Sequence, residues 1–217
     1  MSSTTIGILG AGRVGLNLAR GLALAGHDVV VGRRDPAGPL PDQARDLGAQ
    51  VRFTDQRAAA AAAGLVINAT PGDTAVERLG AMADELAGKI LVDVANATHH
   101  GPDGLPGDLV YQVGSLGERL QRALPATRVV KTLNTMLFVV MTAPESLTTP
   151  PTVYLSGDDQ DAKDAVARLL GDLGWKSDRI EDIGDISTAR ATEAVMLLVT
   201  QVLRHKGLRP IAVSLSR

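Results

Sequence analysis

Short apolar runs closed by turn-forming residues alternate along this chain with stretches whose apolar side chains recur every three or four positions. Residues 6–9 are apolar, end at Gly10 and read as a buried parallel strand. Val14, Leu18, Leu22 and Ala25 share one helical face, and Gly26 supplies the stop, so a helix is predicted over 13–25. Residues 29–31 are the second strand. A second helix is predicted over 39–48, with a late start because Pro39 and Pro41 occupy its first positions. Residues 51–53 read as a short third strand. The alanine run 58–63 reads as a helix, since alanine has the best helix propensity. A fourth strand at 65–69, a helix at 74–86 and a fifth strand at 89–94 follow. A loop rich in Gly, Pro, His and Asp covers 97–108, then a helix at 115–124 and a sixth strand at 128–133.

This β-α alternation is the signature of an α/β chain with a doubly wound parallel sheet. The Pro/Thr-rich segment 143–151 marks a junction. A smaller β-α-β unit follows it: strand 152–156, helix 160–173, strand 176–180. A last helix over 186–205 ends near Gly207. The expected organisation is a region over 1–142 and a small C-terminal α/β region over 143–217.

Composition narrows the partners. The chain has 217 residues, no cysteine and a formal net charge of -2. Disulfides, thiolate chemistry and cysteine-ligated metals are excluded. No basic run stands out, which argues against nucleic acid. The first ten residues lack a basic segment followed by a long apolar one, and no apolar run approaches a membrane span, so a cytoplasmic protein is expected. Seventeen of the 22 basic residues are arginine, and Ala and Gly abound, which points to a GC-rich bacterial genome.

The clearest chemical motif is Gly10-Ala11-Gly12-Arg13-Val14-Gly15, a G-x-G-x-x-G that follows a predicted strand and opens a predicted helix. Its first glycine permits a tight turn, its second lets a pyrophosphate approach the backbone, and its third lets helix and strand pack closely. The helix N-terminus offers free N–H groups and partial positive charge to phosphates. A dinucleotide is implied.

NAD-selective sites place an acid at the end of the second strand. Here that strand runs into Gly32, Arg33 and Arg34 before Asp35. Gly32 is expected to leave room there, and the two guanidiniums suit the 2′-phosphate of NADP(H). At about 1.5–3 kcal/mol per charge-assisted hydrogen bond, two would favour NADP by roughly 30-fold or more. The alternative is that Asp35 holds the ribose and the arginines form a solvated surface pair.

Ligands of open α/β sheets sit beyond the carboxyl ends of the strands. Those ends carry Ala69, Thr70 and Pro71, then Asn96 and Ala97, then Asn134, Thr135 and Met136, which are small or polar groups suited to a nicotinamide and its carboxamide. Turn chemistry alone also places such residues there. His99 and His100 are candidates for acid–base work, against the plainer reading of two solvated loop histidines. His27 reads as structural, His205 as a cation suited to the end of the last helix, and Arg190 with Glu193 as an ion pair along it. Asp93 lies in a buried-looking strand without an evident role. No metal cluster, Ser-His-Asp order or carboxylate pair is legible, so no catalytic residue is assigned. Hydride transfer between two cofactors needs positioning and water exclusion rather than such groups.

The segments IGILGAGRVG (6–15), LALAGHDVVVGRRD (22–35), VDVAN (92–96), VVKTLNTM (129–136), DLGW (172–175) and GDISTARATE (184–193) together resemble the coenzyme F420-dependent NADP reductase family over nearly the whole chain. VVKTLNTM also resembles the cytoplasmic reductase domain of membrane ferric reductases. The resemblance implies a hydride passing between C5 of reduced deazaflavin and C4 of the nicotinamide. It implies that Arg33 and Arg34 hold the 2′-phosphate. Thr70, Pro71, Asn96 and Asn134 to Met136 would line the nicotinamide and the F420 face. It also implies a homodimer or larger oligomer, with the C-terminal region closing the cleft. Two departures stand out: a proline-rich stretch after Asp35 lacks a lysine that often assists the phosphate, and the tail 198–217 lacks aromatic residues. Rival readings are an NADPH-dependent reductase of a flavin, ferric or small carbonyl or imine acceptor, and a non-catalytic NADP-binding redox sensor. Imine and β-hydroxyacid reductases follow the same N-terminal half with a long all-helical domain, for which the roughly 75 remaining residues, with strands among them, leave little room.

Overall fold

The computed structural model describes residues 4–215. In chain order its first half holds β1 (Thr5–Leu9), α1 (Arg13–Leu24), β2 (Asp28–Arg33), β3 (Val51–Asp55), α2 (Gln56–Ala61), β4 (Leu65–Asn68), α3 (Ala75–Gly80), α4 (Ala83–Leu86) and β5 (Ile90–Asp93). There follow β6 (Thr98–His100), β7 (Pro106–Leu109), α5 (Leu116–Ala123), β8 (Arg128–Lys131) and α6 (Phe138–Met141). The last elements are β9 (Val153–Leu155), α7 (Gln160–Asp172), β10 (Ile180–Asp182) and α8 (Ala189–Lys206).

Six strands form one parallel sheet in the order β3-β2-β1-β4-β5-β8. This is the doubly wound Rossmann arrangement that the alternation implies, with its reversal of direction between β1 and β4. Side chains alternate across the sheet. Ile6, Ile8, Val29, Val31, Ile67, Val92 and Val130 face one apolar layer, into which α1, α6 and α7 send Leu18, Val140 and Leu170. Leu9, Val30, Val66, Leu91 and Val129 face the other, packed by Ala59, Leu79, Leu86 and Leu120 from α2–α5. Both faces are buried, which is why the strands read as continuous apolar runs.

The two-stranded β9–β10 sheet continues this edge. Lys131 and Ser156 exchange backbone hydrogen bonds of 2.8 and 3.1 Å in an antiparallel bridge beside β8. Trp175, 3 % exposed, donates from Nε1 to Met141 O and is packed in the same layer as β1 and β8. After α8, Gly207 turns the chain at φ 77°, and the tail returns to the rim: Met136 bridges Ala212, Leu137 N–H donates to Ile211 O, and Val213 N–H to Thr135 O.

Four elements differ from expectation. The helix predicted over 39–48 shrinks to one 3-10 turn, Asp42–Ala44. Pro39, Pro41 and Gly48 leave too few consecutive helical positions, and Ala44 and Leu47 are instead anchored against Leu16. The helix predicted over 74–86 is two short helices broken at Ala81–Met82. The loop 97–108 contains the β6–β7 hairpin, irregular in register between Thr98 and His100. The second strand of the small unit lies at Ile180–Asp182, later than 176–180, because a 3-10 turn at Ser177–Arg179 precedes it.

Candidate functional site

The cleft opens where the sheet reverses direction, between the loops that follow β1 and β4. The three glycines of the first loop meet different surroundings. Gly10 adopts φ 111°, and a Cβ there would lie 2.6 Å from Ala69 O, so the two loops touch through it. A Cβ on Gly15 would lie 1.9 Å from Gly10 O: this residue lets α1 start hard against its own loop. Gly12 caps α1, and nothing lies within 4 Å of a Cβ built there. The space above it faces the open N-terminus of α1, whose first turn carries no acidic residue. That is the surrounding a pyrophosphate needs.

A cavity of about 950 Å³ runs along this loop. Gly10–Val14 and Ala69–Pro71 border its middle, Arg33, Arg34 and Asp35 one end, and Met136, Met196, Val199 and Leu203 the other. Gly32 has a different role from the one expected. A Cβ there would lie 2.8 Å from Gln56 Cα, so the absent side chain admits the start of α2 rather than a ligand. Arg33 lies over Phe53 at 5.9 Å and donates to Gly38 O (3.2 Å) and Pro39 O (2.7 Å), which shapes the proline-rich loop. Arg34 is exposed and meets no partner among the described residues. Asp35 Oδ1 accepts from the N–H groups of Ala37 and Gly38 at 3.1 and 3.0 Å, so that oxygen is spent on the turn. The Arg34 guanidinium and the second carboxylate oxygen of Asp35 both remain open at this end, whereas Arg33 is engaged with the loop carbonyls.

A second cavity of about 350 Å³ adjoins the first, lined by Pro71, Asn96, Asn134, Phe138, Met141 and Met196 among others. Asn96 Nδ2 donates to Asn134 O (2.8 Å), and Asn134 Nδ2 donates to Asn96 Oδ1 (3.0 Å), which locks the two loops together. Leu133 sits just before this clasp at φ 60°, the left-handed region that a leucine rarely enters. Strained backbone of this kind persists where surrounding packing dictates it, and it gathers at functional sites.

The structure brings most of the sequence-predicted residues to these two cavities: Gly10–Val14, Arg33, Arg34, Ala69, Thr70, Pro71, Asn96, Asn134 and Met136. Gly15, Ala97 and Thr135 border neither. Ala97 is packed in the core, and Thr135 offers its carbonyl to the tail at Val213. His100 lies on the rim of both cavities. His27 Nε2 meets Asp172 at 3.1 Å, tying β2's approach to α7, a structural role.

Sequence reasoning missed the group behind the second cavity. Lys131, fully buried, places Nζ 2.8 Å from Asp93 Oδ2 and 2.9 Å from Glu193 Oε1, and it also donates to Ala95 O. Asn68 and the Ala95 N–H donate to Asp93 Oδ1. Glu193 accepts from the N–H groups of Leu116 and Gly117 at the start of α5. Glu193 therefore pairs with Lys131 across the fold rather than with Arg190. Burial pushes the Asp93 carboxyl up, against the pull of Lys131. Burial also works against the Lys131 charge, but Asp93 and Glu193 outweigh it and hold the ammonium above the ordinary lysine range. The network joins β5, β8, α5 and α8; the loops that follow β5 and β8, and Met196 of α8, line the second cavity.

Among the described residues no cluster of His, Asp and Glu could hold a metal ion, and no helix is long and apolar enough to cross a membrane. Comparison with known proteins agrees with the geometry. Residues 5–97 match the family model described as NADP oxidoreductase, coenzyme F420-dependent. A crystal structure from Arthrobacter sp. FB24, described as a candidate F420-dependent NADP-reductase, is 36% identical with a TM-score of 0.89, over 100% of both chains. The F420-dependent NADP reductase of Methanothermobacter marburgensis is 29% identical over 92% of this chain and 94% of its own. The metalloreductase STEAP3 of Rattus norvegicus is 32% identical over 88% of this chain, which spans only 36% of that protein's length.

Proposed function

This chain belongs to the coenzyme F420-dependent NADP oxidoreductase family and is an NADP-dependent oxidoreductase, and on that premise we propose that it passes a hydride between NADP(H) and coenzyme F420. The observation that carries this reading is the junction of two cavities. An arginine-ended, glycine-floored cleft runs into an apolar chamber of Met and Phe side chains at the carboxyl ends of β4, β5 and β8. In this reading Gly12 and the N-terminus of α1 receive the pyrophosphate, and Arg33 and Arg34 receive the 2′-phosphate. Ala69, Thr70, Pro71, Asn96 and Met136 border the nicotinamide. The bound cofactor supplies a nicotinamide C4 that accepts or gives the hydride.

The protein's own part is positioning. The Asn96–Asn134 clasp joins the two loops at the chamber, and Met196, Val199 and Leu203 of the C-terminal region border the cleft, where in this reading they would shield the hydride from water. Reduced deazaflavin gives up two electrons and one hydrogen from C5 as hydride, and its ring N–H proton leaves to solvent. No proton relay is required, in keeping with a chamber whose predicted contacts are neutral.

Mixing the protein with NADP+ and reduced F420 is expected to restore absorbance at 420 nm; no change, with NADP+ shown to be bound, rejects F420. A second reading, transfer to a flavin or ferric acceptor, is favoured by the identity to STEAP3. It predicts NADPH oxidation by those acceptors in the absence of F420.

A further inference from the structure

Another arginine, Arg78 on α3, borders the large cavity. Neighbouring contacts fix which end of the cleft it occupies. Gly32, one residue before Arg33, lies against Gln56 at the start of α2. Arg57, the next residue of α2, donates to Ala81 O, three residues beyond Arg78. Pro41, Gln56 and Arg78 border the large cavity together with Arg33, Arg34 and Asp35, and none of these residues borders the Met- and Phe-lined chamber. Arg78 therefore stands at the arginine end, across from β2.

The fold asks little of this side chain. It is half-buried and makes no ion pair among the described residues. It donates once, from Nη2 to Thr74 Oγ1 at 3.3 Å, one turn back on its own helix. Its Nε is buried without a partner. The Nε–Nη2 edge is thus turned toward the protein, which leaves Nη1 and the planar face of the guanidinium toward the cavity. A purine lying at this end needs a flat partner, and no aromatic ring supplies one. Among the described residues, the only phenyl, phenol or indole ring that borders the large cavity is that of Phe138, which also borders the chamber. Phe53 does not border it and lies beneath Arg33. A guanidinium is planar and weakly hydrated and stacks on aromatic faces, nucleic-acid bases included.

We propose that Arg78 stacks on the adenine ring of the nicotinamide dinucleotide and so strengthens NADPH and NADH alike. This rests on the placement of the dinucleotide given above. The cations at this end then differ in what they read: Arg33 and Arg34 select the 2′-phosphate, and Arg78 holds the base common to both cofactors.

The test is a calorimetric titration of the full chain with NADPH and with NADH. Arg78→Met keeps a long, helix-favouring side chain and removes the cationic plane, whereas Arg78→Lys keeps the charge alone. Melting of both variants should hardly move, since the fold loses only the Thr74 contact. Arg78→Met is expected to weaken NADPH and NADH by the same factor, about five- to thirtyfold, the scale of a desolvated cation–π contact. Arg78→Lys should lose most of that affinity too. A loss confined to NADPH would put Arg78 on the 2′-phosphate and overturn the stack. Recovery by lysine would make the contact ionic, with the pyrophosphate as its object, and overturn it as well. Unchanged affinity for both dinucleotides removes Arg78 from the site while the cleft keeps its cofactor. If the unaltered chain binds neither dinucleotide, the cofactor placement itself fails.

Discussion

Two sets of charges flank the cleft, and they are built on opposite terms. Arg33 and Arg34 stand at the carboxyl end of β2, the first engaged by two carbonyl groups and the second unpartnered among the described residues. Lys131, Asp93 and Glu193 stand behind the second cavity, all buried, with one ammonium shared between two carboxylates. The first set has affinity in reserve and contributes little to the fold. The second has spent its affinity internally and serves as masonry for the walls.

The largest expected effect breaks the inner set. Lys131→Met leaves two carboxylates buried without their cation, at a cost of about 3–5 kcal/mol. For a domain of this size that lowers Tm by roughly 10 °C in a thermal melt. The pH dependence follows from the raised Lys131 value. The folded state holds that proton longer than the unfolded one, so its contribution is full below about pH 10.5 and is lost as pH rises through the elevated folded value. Asp93, also raised, has the same sign at the other end: stability falls as pH climbs from about 3.8 toward its folded value. The alkaline loss should vanish from the Lys131→Met profile; an unchanged profile would show that Lys131 is not the titrating group.

The next effect separates fold from ligand within one motif. Gly15→Ala drives a Cβ against Gly10 O and should destabilise the protein by about 1–3 kcal/mol. Gly12→Ala meets only open space, so the melt should hardly move while NADPH affinity falls. If Gly12→Ala leaves NADPH binding intact, the pyrophosphate does not lie on this loop.

The smallest effect on the fold concerns the outer set. Replacing Arg33 and Arg34 together by Ala should weaken NADPH at least about 30-fold relative to NADH in a calorimetric titration. The melt should shift only slightly, through the lost contacts of Arg33 with Gly38, Pro39 and Phe53. Equal losses for the two dinucleotides would remove the 2′-phosphate from this end of the cleft.

The parts of this protein that sequence reveals are those governed by neighbours along the chain. Four of the six sheet strands announce themselves by three apolar residues and a following Gly, Asn or Asp, and the glycine loop by its spacing after β1. Hidden parts depend on partners far away. Asp93 and Lys131 meet because β5 and β8 pair in a register that sets them side by side, and Glu193 joins them only after α8 crosses the sheet. Read along its own helix, Glu193 finds Arg190 instead. The β6–β7 hairpin leaves no signature in the sequence because such short strands with a register shift show no alternation. Gly32 is opaque in the sequence for a similar reason: what fills the space beside it is α2, more than twenty residues later.

The cleft's borders come from residues as distant in the chain as Gly10, Ala69, Met136 and Leu203. A dinucleotide lying along it would therefore act as a non-covalent staple, fastening segments that the unfolded chain holds far apart. Occupancy then adds to the free energy of the native state by mass action, about 2.7 kcal/mol at a hundred times the dissociation constant. The cell's nicotinamide pool would thus set the lifetime of this protein as well as its turnover.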